Sequence, residues 1–373
     1  MDGTTMVKDY TFLRRPDYFE TLAKTVRLAT HGERVIVATM DFDPREPLIR
    51  HLVEALCSAA HHHANVTLLV DAHSFLQSTY GRPGSLFYQG SLRRVTPSSS
   101  PAMAALLSLK AAGGHYTITN QPKRRFHPPM VGRSHIKGAV VGKRVFVGGC
   151  NLEHAEQLDV MVTWKSALAA EKLSNWLLQI AETGSVRQAL ADVDAEVALD
   201  STTRLLIDAG VPNQSLIYDE ALQLIDSAQQ WIYITCQYFP GGPTARHLAA
   251  AQARGVHVEI DYSHPRTQGN AAPLHYAHQV AQRARKLPRN FFAGKLDKQV
   301  PKLHAKVLAS EQMAMIGSHN YVIQGVHFGT AELALTSLDP EFSMHLRDFI
   351  REQLAAFDLP AQHAVRQKHI GTK

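Results

Sequence analysis

A chain of 373 residues, 45% hydrophobic and 19% charged, is long enough to bury two cores of ordinary domain size. Its 39 Lys plus Arg against 33 Asp plus Glu give a formal net charge of +6, which favours an anionic partner or substrate, phospholipid or nucleic acid. Cys57, Cys150 and Cys236 lie far apart without CxxC spacing, which argues against a zinc site or a disulfide framework and fits a reducing compartment. No stretch reaches the roughly 18 continuous apolar residues of a membrane span, and the opening "MDGTTMVKDYTFLRRPDYFE" has no apolar signal core, so the expected membrane contact is peripheral.

In chain order, "RVIVAT" at 34–39 predicts a buried strand, "REPLIRHLVEALCSAAHHH" at 45–63 a helix, and "NVTLLVDA" at 65–72 another strand. The three histidines at 61–63 end that helix and read as an exposed terminus rather than a ligand set. A basic, aromatic stretch, "QPKRRFHPPMVGRSHIK", leads into "SHIKGAVVGKRVFVGGCN" at 134–151, with Asp159 following in the apolar run "LDVMVTW". After the polar, acidic segment "ETGSVRQALADVDAEVALDST" the pattern returns. "TTRLLIDAG", "WIYITCQYF" and "VHVEIDYS" read as strands, and "TARHLAAAQARG" as a helix with a glycine stop. Then "RARKLPRNFFAGKLDKQVPK" at 283–302 places seven basic residues and two phenylalanines before "LHAKVLASEQMAMIGSHN" at 303–320, with Glu332 following in "AELALTS". Two similar α/β units are expected, spanning residues 1–190 and 200–373.

The repeat is quantitative. His135 to Lys137 and His304 to Lys306 are both two residues, and His135 to Asn151 and His304 to Asn320 are both sixteen. Core packing or a solvated charged face would not hold these polar types at identical offsets. The residue types suit an anionic phosphodiester. Lys137 and Lys306 supply fixed positive charge, Asn151 and Asn320 amide donors, and Ser318 a further hydroxyl. One imidazole attacks phosphorus while the other protonates the leaving alkoxide and then serves as base. Asp159 and Glu332 are placed to hold the imidazoles by their other N–H. The scheme calls for no metal or other cofactor.

Paired His-x-Lys motifs followed by GGxN and GSxN, over nearly the whole chain, resemble the phospholipase D superfamily. "IYITCQYFPGGPTARHLAAAQARGVHVEI" is similar to a segment of bacterial cardiolipin synthases and related phosphatidyltransferases, centred on Tyr238-Phe239-Pro240. The resemblance implies a duplicated α/β fold, mixed sheets flanked by helices, with the active site between the halves. It also implies His135 as nucleophile and His304 as acid/base, an order that the near symmetry of the halves leaves open.

The family's usual His-x-Lys-x4-Asp is absent, because that count lands on Gly142 and Glu311. "VVGKRV" can close as a two-residue hairpin with Gly142 supplying positive φ, which makes the lost Asp a turn brace rather than a reactant. Cardiolipin synthases commonly begin with spanning helices, and none is read here. The first expectation is a phosphatidyltransferase or phospholipase D, taking an anionic phospholipid and an alcohol acceptor at the inner face of the cell membrane from the cytoplasmic side. The basic 283–302 stretch would meet headgroups while Phe291 and Phe292 enter the acyl boundary. A metal-independent phosphodiesterase or nuclease is the alternative; tyrosyl-DNA phosphodiesterases also keep His, Lys and Asn without that acid, and basic, aromatic stretches suit single strands. A silent binding protein is the third reading, disfavoured by the intact motifs.

Overall fold

The structure, a computed structural model, describes residues 10–75, 100–121, 131–153, 157–191, 193, 195–265, 272–283, 285, 287–292 and 302–358. The first half runs β1 (Thr11–Arg14), α1 (Arg15–Arg27), β2 (Arg34–Thr39), α2 (Pro47–His61), β3 (Asn65–Asp71), α3 (Pro101–Ala111) and β4 (His115–Thr119). It continues through β5 (Gly138–Val141), β6 (Arg144–Gly148), β7 (Gln157–Leu158), β8 (Val160–Lys165), α4 (Ala167–Thr183) and the single turn α5 (Val186–Ala189). The second half runs β9 (Glu196–Ala198), β10 (Thr203–Ala209), α6 (Leu216–Ser227), β11 (Trp231–Cys236), α7 (Pro243–Ala253), β12 (His257–Tyr262) and α8 (Ala272–Arg283). It ends with β13 (Lys302–Leu303), β14 (Val307–Ser310), β15 (Ala314–Gly317), α9 (Ile323–Phe328), β16 (Ala331–Ser337) and α10 (Pro340–Asp358).

Local chemistry sets these boundaries. Pro47 opens α2, where a missing N–H costs nothing. Ser166 caps α4 by accepting the Ala169 N–H at 3.1 Å, and Gly184 at φ +65° ends it in the left-handed conformation. The expected two-residue hairpin forms: Val141 pairs with Arg144, and Gly142 takes φ +57°. A Cβ there would collide with the Glu33 carboxylate.

The duplication is plain in the sheets. One is ordered β1-β8-β6-β5-β2-β3-β4 and the other β12-β11-β14-β15-β16-β10-β9. Reversing the second superposes β10-β16-β15-β14-β11-β12 on β1-β8-β6-β5-β2-β3, with β4 and β9 as additions at opposite edges. Parallel β2–β3 and β11–β12 are joined by crossover helices, while the motif hairpins β5–β6 and β14–β15 pair antiparallel beside them. The inner faces of the two sheets meet. Val145, Val147 and Val162 share one buried cluster with Ile316, Leu333 and Leu335, and α4 and α10 cover its sides. Each sheet has a second, outer core of its own. This stacking is what brings the two motifs together.

Phe291 and Phe292 lie 0% and 9% exposed in the outer core of the second half, Phe292 stacked on Phe239 at 4.9 Å between centroids. They therefore do not enter an acyl boundary. The outer face of the second sheet needs apolar cover, and these rings supply it. The remainder of that basic stretch at 293–301, and residues 122–130 before His135, lie outside the described residues. No helix among the described residues is long and apolar enough to cross a membrane.

Candidate active site

Each His-x-Lys segment is extended, so residues two apart share one face. His135 and Lys137 lie together, as do His304 and Lys306, and each lysine Nζ donates to its own histidine's carbonyl, at 2.8 Å for Lys137 and 2.5 Å for Lys306. Both lysines are fully buried. Burial lowers both ammonium groups, Lys306 to about 7, against the opposing pull of the carboxylates around them. The glycines before each asparagine admit a close neighbour: a Cβ on Gly148 would overlap the Val160 carbonyl, and one on Gly317 the Leu333 carbonyl.

The acids cross over. His135 Nδ1 is 3.0 Å from Glu332 Oε2, and His304 Nδ1 is 2.7 Å from Asp159 Oδ2. The backbone sets this exchange. The His135 N–H donates to the Ala331 carbonyl at 2.8 Å and the His304 N–H to the Leu158 carbonyl at 2.8 Å, so each histidine rides on the chain just before the opposite half's acid. Asp159 occupies the break between β7 and β8, where β7 pairs parallel with β13. Burial would raise both acids, but the facing histidine and the lysines outweigh it and hold each at about 2. An ionised carboxylate only accepts, so each Nδ1 carries the proton. Burial, reinforced by the lysines, outweighs the carboxylates and lowers both imidazoles, His304 well below the ordinary value. Neutral rings with Nδ1–H leave both Nε2 lone pairs available.

Ser318 serves a different partner from the one expected. Its Oγ donates to Glu332 Oε2 at 2.5 Å and accepts the Leu333 N–H at 3.0 Å, so the hydroxyl braces the acid rather than facing an anion. Thr330 Oγ1 donates to the other Glu332 oxygen at 3.1 Å. The first half has Gly149 in the place of Ser318, and a Cβ there would fall on the Asp159 carboxylate. Asn151 and Asn320 each have a buried Oδ1 that lacks a hydrogen-bond partner.

Several residues escaped the sequence reading. Asn151 Nδ2 donates to Asp41 at 3.2 Å and Glu153 at 3.3 Å, and Asp41 faces His73 Nδ1 at 3.0 Å. Burial would raise Asp41, but His73, Lys137 and His135 keep it below the ordinary range; burial and Asp41 push Glu153 up to about 7. A signal existed: Ala38 pairs with Gly138 as Thr235 pairs with Val307, so Asp41 occupies the repeat position of Tyr238. His319, inside GSHN, accepts the Tyr321 N–H on Nδ1 at 2.9 Å and therefore carries its proton on Nε2; burial lowers it to about 4. Asp71 anchors the approach to His135, accepting from Ser134 N at 2.7 Å, Arg133 at 3.2 Å and Asn120 at 2.9 Å.

At the motif's lost acid position, Glu311 accepts backbone N–H bonds from Gln229 (2.7 Å), Gln230 (3.2 Å) and Trp231 (3.1 Å). It ties the hairpin to the start of β11, on the side away from the imidazoles. Among the described residues no group of three or more His, Cys, Asp or Glu has the geometry of a metal site. The histidines at 61 to 63 are exposed at the end of α2.

A family model described as cardiolipin synthase, PLD-like domain, matches residues 221–353. The structure of phosphatidylserine synthase from Haemophilus influenzae Rd KW20 is similar, with TM-score 0.70 and 15% identity over 94% of this chain and 87% of that one. Polyphosphate kinase from Porphyromonas gingivalis is also similar, with TM-score 0.56 and 11% identity over 93% of this chain and 47% of that one. No curated protein sequence matches. Fold, domain and paired motifs define a duplicated α/β protein with its site between the halves. The second half carries a phospholipase D-like domain of the cardiolipin synthase type over residues 221–353, and the chain as a whole is similar in fold to phosphatidylserine synthase.

Proposed function

We propose that the protein is a phosphatidyltransferase of the cardiolipin synthase kind, or a phospholipase D, working through a phosphohistidine. The carrying observation is the pair of crossed His–carboxylate contacts beside two fully buried lysines. His304 enters the step as the imidazolium, which the negative charge of a bound phosphodiester favours over the neutral ring of the free site. His135 Nε2 attacks phosphorus, the bond from phosphorus to the headgroup oxygen breaks, and the His304 Nε2 proton passes to that oxygen. An alcohol or water oxygen then attacks phosphorus, His304 takes its proton, and the P–N bond to His135 breaks. Lys137 and Lys306 balance the phosphoryl charge throughout. The role of Asn320 as an amide donor to the phosphoryl oxygens belongs to the same proposal, whereas the Asn151 amide is engaged by Asp41 and Glu153 and would have to leave one of them to donate.

The matched domain's description and the phosphatidylserine synthase fold support a phospholipid substrate. The test is to incubate the protein with labelled phosphatidylglycerol vesicles, with and without glycerol, and separately with single-stranded DNA. Cardiolipin with free glycerol is the expected product of transfer between two phosphatidylglycerols. Phosphatidic acid alone identifies a hydrolase, and cleaved DNA with untouched lipid overturns the reading in favour of a nuclease.

A further inference from the structure

Helix α8 is built inside out. Among its described side chains those turned toward the protein are polar, with Gln279 and Gln282 only 7% and 4% exposed and His275 and His278 half-buried. Those on the opposite face are exposed and mostly apolar: Val280 is 64% and Tyr276 38% exposed, the Tyr276 ring edge-on to His264 at 5.8 Å, with Pro273, Ala277 and Ala281 exposed beside them. The spacing 275, 278, 279, 282 is one helical face and 273, 276, 277, 280 the other. A surface helix of a globular protein normally has the reverse polarity.

The buried polar face is tied to the site. The His275 ring stacks on Tyr238 at 4.5 Å and 10°, and Gln282 Oε1 accepts the Gly242 N–H at 3.4 Å. Gln279 and His278 line a small cleft with Gln237, Tyr238 and Ser263. Tyr238 stands two residues beyond β11, whose Thr235 hydroxyl donates at 3.4 Å to the carbonyl of Ala305, the residue between His304 and Lys306. The outward apolar face is therefore on the side of α8 away from this cleft, which adjoins the strand end next to the second motif. Three arginines, Arg283, Arg285 and Arg289, are exposed at its end and just beyond it. The Arg283 guanidinium lies over the Phe292 ring at 5.1 Å, its stem against the core and its charge outside.

We propose that α8 is an interfacial helix that seats Tyr276 and Val280 in the headgroup–acyl boundary of an anionic bilayer, with Arg283, Arg285 and Arg289 against the lipid phosphates. Apolar contact and basic rim together are what an in-plane helix needs. The docking holds the protein at the surface that carries the reacting phosphate. That purpose rests on the phosphatidyltransfer reading, whereas the docking is measured apart from it.

The experiment is co-sedimentation of the full chain with vesicles of equimolar phosphatidylglycerol and phosphatidylcholine, and of phosphatidylcholine alone. Turnover of the water-soluble diester bis(p-nitrophenyl) phosphate is followed alongside. The wild type should partition onto the anionic vesicles more strongly than onto the zwitterionic ones and lose that preference in added salt. Tyr276→Asp with Val280→Asp should weaken partitioning by roughly tenfold or more, Arg285→Glu with Arg289→Glu should remove the lipid-charge preference, and Val280→Trp should strengthen binding. Both substituted apolar positions are on the surface, so turnover of the soluble diester should match wild type and report an intact fold. Vesicle binding by the double aspartate variant equal to wild type overturns the proposal. So does a wild-type dimer, seen by size exclusion, that the variant dissociates without a change in vesicle binding. Helix-dependent binding with no turnover of phosphatidylglycerol would leave the docking standing and remove the transfer reading.

Discussion

The Nδ1 of His304 lies 2.7 Å from the carboxylate of Asp159, a residue 145 positions away on the other half of the molecule. His135 and Glu332, 197 apart, make the reciprocal contact at 3.0 Å. Neither half contains both a motif imidazole and the acid that holds it. The site exists only when the two sheets are stacked, and function is therefore linked to the packing of the core between them.

Crossed pairing makes a prediction that pairing within a half does not. Asp159→Asn should resemble loss of His304, and Glu332→Gln loss of His135. With a substrate whose leaving group needs no protonation, the Asp159 variant should still form an adduct on His135 and accumulate it, because the second step lacks its base. The Glu332 variant should form little adduct. Rapid-quench labelling decides this, and adducts that follow halves instead of crossed pairs would reject the assignment.

His135→Ala and His304→Ala are each expected to lower turnover of phospholipid by at least about 10² to 10⁴, the usual worth of acid–base help, while circular dichroism remains that of the folded protein. The double variant should be little worse than either single one, since the two rings act as a unit. A folded single variant with near wild-type activity is the result that would sink the two-histidine mechanism.

Lys306 sets an alkaline limit. Burial holds it at about 7, so the free enzyme loses this charge as pH rises through that value, and kcat/KM for an anionic diester should fall. A bound phosphodiester restores the charge, so kcat should persist to higher pH than kcat/KM. Separate pH profiles of the two constants test the sign; a kcat/KM that stays flat to about pH 9 contradicts it.

Activity should persist in excess EDTA. The two lysines supply the charge that metal ions supply in two-metal phosphodiesterases. An acid-labile, base-stable phosphoryl adduct should be trapped on histidine and mapped to His135. Loss of turnover in EDTA, restored by zinc, magnesium or manganese and with no adduct found, would remove the mechanism.

Glu311→Ala should be a stability variant. Three backbone N–H groups lose their acceptor, at a cost of about 1–2 kcal/mol in a partly solvated turn, and kcat should stay within about twofold of wild type. Urea unfolding and steady-state kinetics check the two halves of this statement. A large loss of kcat with unchanged stability would return the acid to the reaction.

Much of this protein is written in short-range pattern. Strand runs such as "RVIVAT" and "AELALTS" coincide with β2 and β16, because a buried strand needs little beyond its own apolar run. The Gly142 turn was legible because only positive φ closes so tight a hairpin. The sixteen-residue repeat was legible because each motif is one extended segment plus one hairpin, and both spacings are set by local backbone geometry. What local pattern cannot record is which residues meet across the interface. Asp159 and Glu332 could be recognised as imidazole partners, but their exchange between halves follows from the β7–β13 pairing and its counterpart at Ser134 and Ala331. Asp41 lies beyond the run "RVIVAT" and drew no reading from sequence; it reaches Asn151 because β2 pairs with β5 of the motif hairpin. Phe291 and Phe292 had the composition of a membrane contact, yet burial against Phe239 was available to them. The exposed Tyr276 and Val280, unremarkable in sequence, acquired meaning only when the fold turned the polar face of their helix inward. Contacts 100 to 200 residues apart are decided by how two sheets stack, and that is a property of the whole chain.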